Sequence, residues 1–144
     1  MSRPIAGEVS VAASEYLHLV SRARVVPVTH IVSHIVLMKP RPDLSAADRR
    51  ALVDAFDRAI REIPTVRDVR VGRRVMHGAG YEQAMPDTAD YLIVIDFDDL
   101  DGLQTYLRHP AHEALGARFN QSLSSALVYD FEVGGADSLA GLAG

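Results

Sequence analysis

The stretch YLIVIDFDDLDGLQTYLRHPAH, residues 91–112, carries the strongest structural signals of the chain. It begins with YLIVIDF, which is mainly aliphatic and aromatic and therefore predicts a β-strand. DDLDGLQTYLR follows, and its leucines recur at three- and four-residue spacing, which predicts a short helix. The residue before a proline disfavours helical geometry, so this helix should end near Arg108 or His109, and Pro110 should begin the next one. One strand is therefore followed directly by two short helices.

Three further strands and a longer helix are predicted on either side of this stretch. The strands are THIVSHIVLMK (29–39), VRDVRVGRRVM (66–76) and SALVYDFEV (125–133). DLSAADRRALVDAFDRAIREIP (43–64) has the apolar periodicity of a helix, with Ser45 as its N-cap and Pro64 as its terminator. The resulting order, β-α-β-β-α(α)-β, is the split βαβ arrangement. The sequence therefore predicts an α+β, ferredoxin-like fold.

Helices on one side of a four-stranded sheet leave its other face uncovered. On the first strand, alternation places His34, Val36 and Met38 on one face and Ile35 and Leu37 on the other. Both sets are mostly apolar, so the pattern leaves open which of them faces away from the helices. An exposed apolar face of this size calls for a partner. Two such sheets packed face to face would make a homodimer.

Length and composition predict one domain with flanking segments. The chain has 144 residues, which is enough for one core. We expect that core to span residues 30–133. Residues 1–29 are predicted to be an N-terminal extension with an amphipathic helix over residues 8–23. Residues 134–144 have few apolar side chains and are predicted to be a flexible tail.

The composition also argues against several classes of protein. The chain contains no cysteine, which excludes disulfide scaffolds, thiolate metal sites and thiol catalysis. Its net charge of −4 disfavours a nucleic-acid partner, which would require a concentrated basic surface. No apolar run approaches the roughly 20 residues that span a membrane, so no membrane partner is expected. The N-terminus lacks the uninterrupted apolar region of a signal peptide, which predicts a cytoplasmic protein.

Four segments of the chain resemble one known family. They are HIVLMK (34–39), IPTVRDVRVG (63–72), YLIVIDFDDLDGLQTYLRHPAH (91–112) and YDFEV (129–133). Together they resemble the stress-responsive α/β-barrel (Dabb) family. HP-x-H following Tyr-x-x in a β-α-β-β-α-β chain is the most specific part of the match. The resemblance implies a dimeric α/β barrel with a cavity between the sheet and the helices of each subunit.

The same resemblance implies candidate catalytic residues. A plant member of the family is a polyketide cyclase that closes a ring by intramolecular aldol condensation, without cofactor or metal. Its catalytic tyrosine and histidine match Tyr106 and His112. Two further pocket groups of that enzyme fall on Phe56, in place of a tyrosine, and on Tyr91, in place of a histidine. The resemblance therefore implies a related pocket with a different lining.

The residues themselves support acid–base chemistry at the helix junction. His112 should lie in the first turn of the helix that Pro110 begins, where the helix dipole favours the neutral imidazole that a general base requires. Tyr106 could donate a hydrogen bond to a carbonyl or a developing enolate. This pair suits proton abstraction next to a carbonyl, followed by C–C bond formation or cleavage. The alternative is a purely structural junction, in which His109 caps the helix and His112 bonds a backbone carbonyl.

Further candidates would line the substrate pocket. We expect His34 and His109 to contact the ligand, although a lone histidine on an apolar strand face is more often a core residue. Arg70 or Arg74 could hold a carboxylate if either points into the cavity. No metal site is predicted, because Pro110 disrupts the spacing of His109 and His112 and no nearby Asp or Glu completes a ligand set. The resemblance implies that no cofactor is needed. Two other functions stay open: a non-catalytic stress-responsive dimer and, more weakly, a haem or metal protein.

Overall fold

Within residues 30–144, the part of the chain that the structure describes, four antiparallel strands form one sheet in the order β2-β3-β1-β4. The structure is a computed structural model. The strands are β1 (Ile31–Pro40), β2 (Asp68–Arg73), β3 (Tyr91–Phe97) and β4 (Leu123–Val133). The predicted helix over residues 8–23 lies outside the described residues. The α+β, ferredoxin-like topology predicted from the sequence is confirmed.

The helices begin and end where the sequence places their capping residues. They are α1 (Ala46–Glu62), α2 (Leu100–Arg108) and α3 (Pro110–Ser122). The Ser45 hydroxyl accepts a hydrogen bond from the backbone N–H of Asp48, and the Asp99 carboxylate caps α2 in the same way at Gly102. Pro110 is the first residue of α3, as the helix break predicts.

Two short 3-10 helices complete the described secondary structure. Gly80–Ala84 interrupts the long connection between β2 and β3, and Ala136–Ala143 follows β4. The side chains of the second are exposed, including Leu139 and Leu142. The flexibility proposed for residues 134–144 stays a prediction.

Strand register settles which face of β1 packs against the helices. Val32, His34, Val36 and Met38 are buried on the helix side, where they meet the core. The partner of His34 on β3 is Ile95, which is also fully buried. The core on this side is completed by residues of all three helices and of β3: Leu52, Ala59, Ile63, Ile93, Phe97, Leu103, Tyr106, Ala111 and Leu115.

The opposite side of the sheet, here called the open face, carries exposed apolar side chains. Alternation from the paired residues assigns to it Ile31, Ile35, Leu37, Leu92, Val94, Leu127, Tyr129, Phe131 and Val133. Half of the Phe131 and Tyr129 surfaces is exposed. A polar cluster lies among them: the Ser33 hydroxyl donates to Asp96 at 2.6 Å, and Arg70 lies 3.5 Å from the same carboxylate. The open face is therefore a broad apolar surface around one polar cluster.

Candidate functional site

Tyr106 lies at the centre of an aromatic cluster between α2 and the sheet. It is 1% exposed. Its ring centroid lies 4.8 Å from that of His112, 5.2 Å from that of Phe97 and 5.7 Å from that of His34. Burial raises the pKa of Tyr106 to about 12. The phenol is therefore protonated at neutral pH and is available as a hydrogen-bond donor.

The break between α2 and α3 brings His112 beside Tyr106. His109 ends α2 and caps α3, because its Nδ1 accepts a hydrogen bond from the backbone N–H of Ala111 at 3.0 Å. Pro110 and Ala111 then begin α3, which places His112 in the first turn. His109 thus caps α3, as expected if the junction is structural, and its side chain points back to the backbone.

The immediate surroundings of His112 favour its neutral form with the proton on Nδ1. Nδ1 lies 3.1 Å from the carbonyl oxygen of Leu107, which can only accept a hydrogen bond. The free lone pair is therefore on Nε2. Burial lowers the pKa of His112 and the nearby His34 lowers it further, while the Leu107 carbonyl and Glu113 oppose the shift. His112 is thus a neutral imidazole with Nε2 available as a base.

His34 has a partner that the sequence analysis did not identify. Its Nδ1 lies 2.6 Å from a carboxylate oxygen of Asp130, on the neighbouring strand β4. The His34 side chain is 7% exposed, whereas that of Asp130 is 44% exposed. Donation from Nδ1–H to the carboxylate holds the ring and leaves Nε2 free on its other side. The only sequence signal for this contact was an acidic residue at an inward position of the closing strand.

These groups line one cavity, here called the Tyr106 cavity, of about 240 Å³. His34, Tyr106 and His112 supply its polar atoms together with Asn120. The remaining lining residues are Val36, Phe56, Leu107, Leu115, Gly116, Phe119 and Val128. Phe56 packs edge-on against Phe119, at 6.3 Å between ring centroids. Mostly apolar walls with a few convergent polar atoms are the usual lining of a small-molecule site.

Phe56 also borders a larger neighbouring cavity, here called the apolar chamber, of about 420 Å³. Tyr91 lines the apolar chamber and does not line the Tyr106 cavity. The two pocket positions that the family resemblance marked, Phe56 and Tyr91, therefore lie on one chamber, and only Phe56 reaches both cavities.

The two arginines predicted as carboxylate anchors lie away from the Tyr106 cavity. Arg70 is on the open face, beside Asp96. Arg74 follows β2 and lies 3.6 Å from Asp87 in the connection to β3. Within residues 30–144 the structure brings together His34, Phe56, Tyr106 and His112, and it separates them from the arginines.

Two observations concern metal and membrane. Residues 30–144 contain no group of three or more histidine, aspartate or glutamate side chains arranged to hold a metal ion. No helix in the same range is long and apolar enough to cross a bilayer.

Fold and site together define an α+β, ferredoxin-like domain with a histidine–tyrosine cavity. The chain belongs to the stress responsive A/B barrel domain (Dabb) family, whose sequence profile matches residues 32–133. Among curated proteins it is similar to olivetolic acid cyclase of Cannabis sativa. The two are 20% identical over 100 residues, which cover 69% of this chain and 94% of the cyclase.

Solved structures with the same fold include proteins from bacteria and plants. A dimeric protein of ferredoxin-like fold from Bacteroides fragilis is 27% identical, with a TM-score of 0.51, covering 72% of this chain and 97% of that one. Hydroxynitrile lyase from Passiflora edulis is 15% identical, with a TM-score of 0.63, covering 74% of this chain and 95% of the lyase. These likenesses show the fold and include structures that are dimeric.

Proposed function

We propose that this protein is a cofactor-independent lyase or cyclase that moves a proton next to a carbonyl of a small, polyketide-like substrate. The observation that carries the proposal is the state of His112. Its Nδ1 is held by the Leu107 carbonyl, its pKa is lowered mainly by burial, and Tyr106 lies against its ring in a cavity. A neutral base beside a protonated phenol is the pair that enolate chemistry requires.

The proposed reaction begins with a substrate carbonyl that accepts a hydrogen bond from the Tyr106 hydroxyl. Nε2 of His112 removes a proton from the adjacent carbon, which leaves an enolate and an imidazolium. In a cyclase the enolate carbon then attacks a second carbonyl of the same molecule, and the imidazolium returns the proton to the new alkoxide. The reverse sequence cleaves a C–C bond. Each proton that His112 takes is given back, so no co-reactant is consumed.

His34 and Asp130 are proposed to complete the polar side of the cavity. The 2.6 Å contact fixes the His34 ring, so that its Nε2 is held at the cavity beside Tyr106. A fixed second donor or acceptor would orient a substrate that carries two carbonyl groups. Asp130 acts through His34 and is therefore proposed as a positioning residue.

The protein is further proposed to be a homodimer that pairs its open faces. Leu127, Tyr129, Phe131 and Val133 form an exposed apolar strip on β4. Water contact with such a strip is unfavourable, and burial between two sheets would remove it. The Bacteroides fragilis structure of the same fold is dimeric, which supports dimer formation.

A second candidate function, a non-catalytic dimer, is favoured by one contact. The bond from His112 to the Leu107 carbonyl is also what a purely structural helix junction would make. The two functions differ in what Nε2 does, because only the catalytic one requires it to exchange protons with a bound carbonyl compound.

The test measures proton exchange directly. NMR would follow the deuteration of 2-heptanone in D₂O, at the carbons next to its carbonyl, with the full chain. We expect His112→Gln to lower the enzymatic rate by about 100-fold or more, and Tyr106→Phe by about 10-fold. His77→Gln, in the exposed connection after β2, is the matched control and should leave the rate unchanged.

The pH profile of the same rate adds an independent check. Because the pKa of His112 is lowered, its basic form persists to lower pH, and the rate should reach half its plateau below pH 6.5, the ordinary histidine value being about 6.5. NMR titration of His112 should show the same midpoint, which should change in Tyr106→Phe. A rate that is indifferent to His112→Gln would favour the non-catalytic dimer.

A further inference from the structure

A second concave site adjoins the apolar chamber and shares no lining residue with the Tyr106 cavity. Basic side chains surround it where β1, the start of α1 and the end of β2 meet. This basic cleft, of about 370 Å³ within the described part of the chain, is lined by five cations, namely Lys39, Arg41, Arg49, Arg73 and Arg74, together with Pro40, Pro42, Asp90 and Tyr91. The whole chain carries a net charge of −4, so this concentration of cations is a local feature and does not reflect the average composition.

Two of the five cations already have a partner. Asp87 lies within ion-pair distance of both Lys39 and Arg74, and the Lys39 contact lowers the pKa of that carboxyl. Among residues 30–144, no carboxylate forms an ion pair with the other three cations: Arg41, Arg49 and Arg73. The basic cleft therefore holds three guanidinium groups without an ion-pair partner among residues 30–144, although the Asp90 carboxylate also lines it.

The backbone around these guanidinium groups is held in place. Nε of Arg49 donates to the carbonyl of Leu44 at 3.1 Å, which anchors the side chain, and its two terminal nitrogens have no hydrogen-bond partner among residues 30–144. Pro40 and Pro42 restrict the backbone on either side of Arg41. Arg41 itself donates its backbone N–H to the Ser122 carbonyl at 2.9 Å. Limited freedom reduces the entropy that is lost when an anion binds.

The basic cleft adjoins the apolar chamber. Pro40, Arg49 and Tyr91 line both. Beyond them the chamber walls are mostly apolar: Met38 and Ile93 on the sheet and Leu52 on α1 are buried, whereas Val53 and Val71 are exposed. Asp57 is the one acidic lining residue, and it pairs with Arg61. Cations at the rim and hydrocarbon walls behind them form one continuous amphipathic surface.

We infer that the basic cleft and the apolar chamber together bind an anionic group carried on an apolar chain, either a carboxylate or a phosphate. Guanidinium groups hold both anions through paired N–H donors. The chain would lie along the chamber and remove apolar surface from water. This site goes beyond the proposed function and does not depend on proton transfer at His112.

The test compares four probes by calorimetric titration of the full chain, below their micelle-forming concentrations. They are decanoate, decyl phosphate, decanol and inorganic phosphate. We expect decanoate or decyl phosphate to bind at least 10-fold tighter than decanol and than inorganic phosphate. The stronger of the two identifies the anion. Its affinity should fall as salt is added, because salt screens the attraction to the arginines.

Substitutions in the basic cleft and the apolar chamber test whether the probes bind there. Arg49→Gln and Arg73→Gln should each weaken the favoured probe by about 10-fold, the usual scale of one charged hydrogen-bonding partner. Arg50→Gln is the matched control, because Arg50 follows Arg49 on α1, lies outside the basic cleft and pairs with Asp54. Val53→Asn, at an exposed position of the chamber, should weaken the chain-bearing probe and leave inorganic phosphate unaffected.

Several results would overturn the inference. Decanol that binds as well as the two anions would show that the cations take no part. If Arg50→Gln weakened probe binding as much as Arg49→Gln, the probe would be attracted by the general positive charge of the surface and not by a defined site. Absence of saturable binding by all four probes would show that the chamber is closed to ligands. His112→Gln should bind the favoured probe unchanged, which separates this test from that of the proposed function.

Discussion

The two faces of the sheet each carry one polar cluster, and the clusters differ in what surrounds them. On the helix face, the His34–Asp130 pair adjoins the Tyr106 cavity. On the open face, Ser33 and Arg70 contact Asp96 amid exposed apolar side chains. Neighbouring residues of one strand, Ser33 and His34, therefore belong to different environments. A polar group beside a cavity can reach a ligand, whereas one on an apolar face can meet only a protein surface laid over it.

The largest effect expected from this comparison comes from placing a charge on the open face. Phe131→Asp should weaken dimer formation by about 100-fold or more, because an unpaired carboxylate buried between two sheets is strongly unfavourable. Sedimentation velocity across a concentration series measures it. Val53→Asp introduces the same charge at a site of similar exposure on α1 and should leave the dimer intact. A Phe131→Asp protein that dimerises like the wild type would refute pairing through the open face.

A smaller effect should separate the two polar clusters. Asp130→Asn should slow the deuteration of 2-heptanone by about 10-fold, because it weakens a charged hydrogen bond to His34. Glu132→Gln, two residues along the same strand, should not change the rate. Asp96→Asn should weaken the dimer and leave the rate per folded subunit unchanged.

One result would contradict the proposal that the two polar clusters have different roles. If Asp96→Asn slowed deuteration as much as Asp130→Asn, both carboxylates would act through general stability. Thermal unfolding of each variant supplies the control. If the melting temperature is unchanged, a lower kcat reflects misplacement of the His34 ring and not a loss of folded protein.

The smallest effect concerns the connection between β2 and β3, outside both faces. The Glu82 carboxylate accepts backbone hydrogen bonds from His77 at 2.8 Å, Ala79 at 3.2 Å and Gly78 at 3.3 Å. The bond from His77 is the main reason why the pKa of Glu82 is lowered. Since the folded pKa lies below the unfolded one, the contribution of this carboxylate is complete above the unfolded value and is lost as pH falls through the folded value.

NMR shifts of the His77 and Gly78 amides should report that ionisation. We expect one step with a midpoint below about 4.3, the ordinary glutamate pKa, and no such step in Glu82→Gln. Asp87→Asn is the control within the same connection and should leave the step in place. A midpoint at or above the ordinary value would contradict the hydrogen-bonding pattern.

Local signals predicted the elements and the helix junction correctly. Pro110 at the start of α3, His109 before it and Ser45 before α1 act through contacts within a few residues, so they are readable from short stretches. The same locality explains why His112 was correctly expected in the first turn of its helix. The Tyr106–His112 pair follows from it, because the two residues lie on either side of one break.

Contacts between distant strands were not predictable in this way. Both faces of β1 are mostly apolar, so alternation could not show that His34 faces the helices. Asp130 is 96 residues from His34 in the chain, and only the pairing of β1 with β4 brings them together. Arg70 and Arg74 looked equivalent in the sequence, yet strand register places Arg70 on the open face, whereas Arg74 lies just beyond β2, beside Asp87.

The sequence by itself determined the order of strands and helices, the ends of the helices and the adjacency of Tyr106 and His112. Propensity, capping and proline geometry act over one or two turns and need no partner from elsewhere. Tertiary structure alone decided which face of the sheet packs against the helices, which histidine meets Asp130, and which arginines gather at the basic cleft. The first two outcomes depend on strand register, because a shift of one residue moves every side chain of a strand to its other face. The third depends on how the end of β1, the start of α1 and the end of β2 pack together.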